Sequence, residues 1–178
     1  MTYIPELVKT KGMDLTITSD ALAIPITLAK VKQHLDIDFT DQDDKLTSLL
    51  ASAFREVELF LQLGLKTKTV RMSYMQINGT VLMPFSPVQS ITSVTDMDGT
   101  ALVENTDYEF SADKSKISAY SQNGIKVTYV CGYTTLPSDI ENAILDIIAV
   151  DFDNKVEDKR LALKAIKDRI RHYRPIYV

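Results

Sequence analysis

The sequence predicts an α+β fold: a mainly helical core of about four helices, with a small antiparallel sheet inserted between the second and third. Three observations carry this. Apolar residues recur at helical spacing over residues 41–63 and again from 136 to 152. Between those stretches the pattern switches to strict alternation, and Asn-Gly and Asp-Gly pairs punctuate the alternating runs. The 178 residues, 45% hydrophobic and 25% charged, have an ordinary globular composition and are enough to bury a core.

Residues 1–26 are irregular, with one short alternation at Leu15–Thr18 and prolines at Pro5 and Pro25, and read as an arm or short strand. In TLAKVKQHLDI, Leu28, Val31 and Leu35 share a helical face behind Thr27, whose hydroxyl suits the first-turn cap. The acidic break DIDFTDQDD ends that helix. The second helix, about 41–63, aligns Leu46, Leu49, Leu50, Ala53, Val57, Phe60 and Leu61. Asp41, Asp43 and Asp44 favour the positive pole of its dipole, and Gly64 is the expected left-handed terminator.

Val70–Tyr74 then alternates, with Asn78-Gly79 expected as a hairpin turn and Thr80–Met83 returning. Further strands are expected at 91–95, 108–110, 116–119 and 125–130, with tight turns at Asp98-Gly99 and Asn123-Gly124. Ser138 and Glu141 have capping-box spacing at the head of a third helix, where Ile140, Ala143, Ile144, Ile147, Ile148 and Phe152 share a face. After a polar break at 154–158, a last helix runs to about Tyr173, where Pro175 stops it. The expected divisions are an arm (1–26), an α+β domain (27–155) and a basic helix with its tail (156–178).

The chemistry-bearing motifs are few. The stretch MPFSPVQSITSVTDMDGTAL contains an Asp-x-Asp-Gly, yet a calcium loop placed on Gly99 would have Val94 at position 1 and Asn105 at position 12, without its bidentate carboxylate. The proline pair Pro84 and Pro87 lacks the flanks of a polyproline ligand and reads as a stiffened corner between strands. Phosphate-binding loops, zinc-protease motifs and nucleophile elbows are missing, and the two histidines, His34 and His172, fall in different helices. Cys131 ends an apolar strand, where a cysteine packs as a small hydrophobe; its service as a nucleophile with His34 or His172 is the weaker reading. No enzyme, cofactor or metal site is expected.

Charge is distributed unevenly. The chain carries −4 overall, while residues 159–174 hold seven Lys and Arg against one acid, Asp168. Three readings compete for that helix: a solvated face, a docking surface for an acidic partner or a neighbouring copy, and a DNA-phosphate contact. The apolar tip Ile176-Tyr177-Val178 favours docking. The partner-contact candidates are therefore Arg169, Arg171, Arg174, Ile176 and Tyr177. A single cysteine, no signal-peptide pattern and no run of roughly 20 apolar residues give no sign of an oxidising compartment or a membrane span, and point to synthesis in a cytoplasm.

The order of parts resembles the head-tail connector (adaptor) proteins of long-tailed phages and prophages. Thr27-Leu28 and the acidic loop Asp36–Asp44 lead into the long helix. Pro84–Ile91, the Asp98-Gly99 turn, Val127–Tyr133 and Leu136–Ile144 follow in the family's sequence. The resemblance spans about 27–155. It implies a structural virion protein at the head-tail junction that forms a cyclic ring of its own copies, docks on the portal protein and seats a tail-side stopper or tail-completion protein. DNA would pass through its centre. A non-catalytic protein- or carbohydrate-binding module, using Tyr74, Tyr108 or Tyr129 on the sheet, is the alternative.

Overall fold

A computed structural model of the protein describes residues 13–20, 23–153 and 158–175. The elements in chain order are β1 (Met13–Asp20), α1 (Leu28–His34), α2 (Asp43–Leu61), β2 (Lys68–Tyr74), β3 (Ile77–Leu82), β4 (Val88–Thr95), β5 (Tyr108–Phe110), β6 (Lys116–Ser121), β7 (Ile125–Cys131), α3 (Ser138–Phe152) and α4 (Lys159–Ile170). A 3-10 turn at Arg171–Tyr173 follows α4. The α+β class holds, and six of the seven strands lie in sequence between α2 and α3. The chain divides into two compact units that interleave in sequence: a strand unit, up to residue 21 and 63–134, and a helical unit, 22–62 and 135–178.

The expected single sheet is two sheets in the strand unit. One is four-stranded with order β1-β2-β7-β4, the other three-stranded with order β3-β6-β5, and all pairings are antiparallel. The expected short arm strand is eight residues long and forms one edge of the larger sheet, with Leu15 opposite Met72. The Asn78-Gly79 hairpin does not form. The chain bends instead at Met75-Gln76, and Asn78 and Gly79 lie within β3, opposite Tyr120 and Ala119. Burial accompanies this: Ile77 is buried in the core at the start of β3, opposite Ser121 of β6 in the second sheet.

Both sheets feed one apolar core. Val70, Met72, Val127 and Tyr129 come from the larger sheet, and Ile77, Ile117 and Ala119 from the smaller. In β7 the inward residues alternate strictly: Ile125, Val127, Tyr129, Cys131. Strand β4 meets them with period three. Val88, Ile91 and Val94 oppose Cys131, Tyr129 and Val127, because a bulge after Val88 and another after Ile91 each add one residue to β4.

In the helical unit, most of the stripes expected for α2 and α3 is buried, while Leu49, Phe60 and Phe152 are half-buried. Leu46, Val57, Leu61, Ile140, Ile144, Ile147 and Ile148 are fully excluded from solvent, and each such side chain stabilises the fold by about 1.5–3 kcal/mol. Thr27 caps α1 through Lys30 N at 3.3 Å. Two end signals work differently from expectation. Gln62, not Gly64, takes the left-handed conformation that closes α2, with φ 59°. Gly64 is small because its Cβ would meet Gly132 Cα and Phe85 O at 3.0 Å. At α3 the capping box is not made: Pro137 is the N-cap, Ser138 is already helical, and Glu141 pairs with Lys30 at 2.6 Å. Among the described residues, no helix is long and apolar enough to cross a membrane.

Candidate assembly interface

The basic helix α4 is amphipathic in a way that sorts its charges. Asp158 caps it by accepting from Leu161 N at 2.9 Å, and Ile166 and Ile170 turn into the core of the helical unit. The remaining arc carries the cations, and neighbouring helices take up part of it. Lys167 pairs with Glu56 of α2 at 2.6 Å and lies over the Phe60 ring. Arg169 donates through Nη2 to Asp146 Oδ2 on α3. The other oxygen of Asp146 faces His34 Nε2 of α1 at 3.2 Å, so one carboxylate serves three helices.

The expected contact residues therefore separate. Arg169 is paired inside its own unit. Arg174 is exposed but stands over Phe60, with Cζ 5.9 Å from the ring centre. Arg171 is exposed and free of partners among the described residues, as are Lys164 and Arg160, about two and three turns earlier. Ile176 and Tyr177 lie outside the described residues. Tyr173 points its hydroxyl at Asp139 Oδ2 at 3.4 Å, and burial together with that charge pushes the phenol above its ordinary value. Arg160 and Lys164 were visible in the sequence only as members of a charge run. Their freedom depends on which neighbours Glu56, Asp139 and Asp146 serve.

The same unit presents the opposite sign in the 36–44 segment. Asp36, Asp38, Asp41 and Asp44 are exposed around Phe39, whose ring is 45% exposed, while Asp43 holds Lys32 at 2.8 Å.

The remaining candidates from the sequence fall into structural roles. Cys131 is buried, with Sγ 3.6 Å from Lys68 O. Asp96 accepts from Thr100 N at 2.8 Å, and this bond draws its carboxyl below the usual range. Asn123 Nδ2 donates to both Asp96 and Asp98, which knits the Asp-x-Asp-Gly segment into a turn against the β6–β7 connection. Tyr129 is fully buried and donates to Pro84 O at 2.9 Å; burial drives its ionisation far upward. Tyr74 is buried with its hydroxyl on Met13 Sδ, and only Tyr108 of the three tyrosines is half-exposed, edge-on to Phe110. The strand unit also holds an open groove of about 630 Å³ between β4 and β5.

The head completion protein family matches residues 25–162. No curated protein matches the chain. Among solved structures, a chain in the neck of an empty gene transfer agent (GTA) particle, computed with C6 symmetry, has a TM-score of 0.66 at 15% identity, covering 93% of this chain and 97% of that one. A chain of the native GTA virion has a TM-score of 0.66 at 16% identity, covering 92% and 96%. A chain of the native neck computed with C12 symmetry has 0.64 at 16%, covering 93% and 97%. At those identities the likeness is one of fold. With a family match over most of its length, and with the motif order of head-tail connectors, the chain belongs to the head completion protein family and is a structural protein of the phage head-tail junction.

Proposed function

We propose that the protein assembles head to tail with its own copies into a ring between the capsid portal and the tail. The 27–155 body forms the ring wall, and the basic segment 156–178 docks on the portal protein. The tail-side stopper sits on the opposite face, and DNA passes through the centre. The observation that carries this reading is the cluster of outward cations on and after α4, Arg160, Lys164 and Arg171, which pair with nothing among the described residues of their own unit. An exposed cation left unpaired costs little, so such a row is available for an acidic partner. The neck symmetries of the structural neighbours, sixfold and twelvefold, support a closed ring. The net charge of −4 favours passage of DNA without adhesion.

The test is particle mass by light scattering and shape by negative-stain imaging, with and without portal. Removing 169–178 is too blunt, because Ile170 is buried in the helical core. The triple variant Arg160→Glu, Lys164→Glu, Arg171→Glu keeps the core and is expected to lose portal docking while its circular dichroism stays unchanged. Docking by that variant at wild-type strength and salt dependence would remove the basic helix from the interface.

A further inference from the structure

We propose that neighbouring copies join through their larger sheets, with β1 of one copy entering the groove between β4 and β5 of the next. This rests on the ring reading and adds the surfaces that meet.

The sheet order β1-β2-β7-β4 leaves β1 and β4 as its two edges. The strand core is open at both flanks. On the β4 side, Ile91, Leu102, Tyr108 and Phe110 are only partly buried around the groove, and on the β1 side Met13 and Ile17 are partly buried. A single copy leaves both flanks half-wet. A second copy covers one flank with the other, so each supplies what its neighbour lacks, as a heterologous contact requires.

Strand direction selects the same arrangement. Four antiparallel strands make β4 run opposite to β1. Rotation about a ring axis preserves each strand's direction along that axis, so β1 of the next copy arrives antiparallel to β4. An odd number of strands would force a parallel join. The open part of β4 is Val88–Ser93, since Leu102 N already bonds Val94 O and Ala101 bridges Thr95. That length is about 20 Å, which an eight-residue strand such as β1 spans. The two bulges of β4 deny this edge to an arbitrary flat strand, and the apolar flank residues then select the partner.

Cysteine pairs test the contact. Within one chain β1 and β4 are separated by β2 and β7, about 14 Å apart, beyond disulfide reach, so a bridge between them joins two copies. Thr16→Cys is combined in turn with Ser90→Cys, Thr92→Cys and Ser93→Cys in the full chain. Each is oxidised after assembly on portal-bearing heads that lack their necks. At least one pair is expected to give a ladder reaching the ring's full copy number on a non-reducing gel, while variants with one introduced cysteine beside the buried Cys131, and the wild type, stay monomeric on the gel. Rings visible by negative stain with no ladder from any pair overturn the sheet contact and leave the ring reading standing. Dimers from variants with one introduced cysteine overturn it in favour of an edge-to-like-edge pairing. A chain that forms no ring with or without heads overturns both readings. Ile91→Asp provides a second readout: ring yield is expected to fall at least tenfold with the monomer's thermal midpoint shifted by only a few degrees, and wild-type yield counts against the contact.

Discussion

Arg169 on α4 and Asp146 on α3 are joined by a charge-assisted hydrogen bond, and His34 of α1 approaches the second carboxylate oxygen. The pair is partly exposed, which limits its value to a surface bond. Asp146→Ala is expected to lower stability by about 1 kcal/mol or less. It also adds an unpaired cation to the basic arc, so portal affinity should become more salt-dependent. Chemical denaturation and binding measured across a salt series check both parts.

Two glycines with left-handed φ should respond unequally to alanine. At Gly132, with φ 93°, a Cβ would lie 2.1 Å from Lys66 O, a backbone atom that cannot swing aside. At Gly79, with φ 123°, the space is empty. Gly132→Ala should cost roughly 3 kcal/mol or more and Gly79→Ala about 1–2 kcal/mol, read from denaturation midpoints.

Tyr129 links stability to alkaline pH. Its folded-state ionisation is raised above the ordinary value near 10 by burial, so the stability it contributes is fully present below that value and is lost as pH rises beyond it. Tyr129→Phe should cost about 1 kcal/mol at neutral pH by leaving Pro84 O without its donor. Above pH 10 the variant should lose stability less steeply than the wild type.

Asp113 gives the opposite sign at the acid end. The Ser111 hydroxyl and then Ser115 N hold its carboxyl down to about 2. The turn between β5 and β6 therefore keeps its fastening above the unfolded carboxyl value near 4, and loses it as pH falls toward 2. The Ser115 amide resonance should report this between pH 4 and 2, and Asp113→Asn should flatten the response.

Helices were legible because an apolar stripe states its own burial. Leu46 through Leu61 and Ile140 through Ile148 needed no knowledge of their partners. Sheet membership was not, since an alternating strand specifies a face and not a neighbour: Val70–Tyr74 and Ile77–Leu82 look like one hairpin and belong to different sheets. The expected cap of α3 failed for a related reason. Glu141 had the spacing for a cap and found Lys30 instead, a residue more than a hundred positions away. The basic segment was legible as charge, while the division between Arg169, which is paired, and Arg171, which has no partner among the described residues, depends on Asp146, an unremarkable acid in an apolar helix.

The eight-residue strand at 13–20 precedes the span that the family match covers, 25–162. Anyone trimming the polypeptide to that span for expression would strip the covering from β2, leaving Val70 and Met72 beside a raw row of peptide groups. Such a shortened product should be recovered as insoluble material or in non-native clumps, and adding back a synthetic peptide carrying MDLTITSD should restore its solubility.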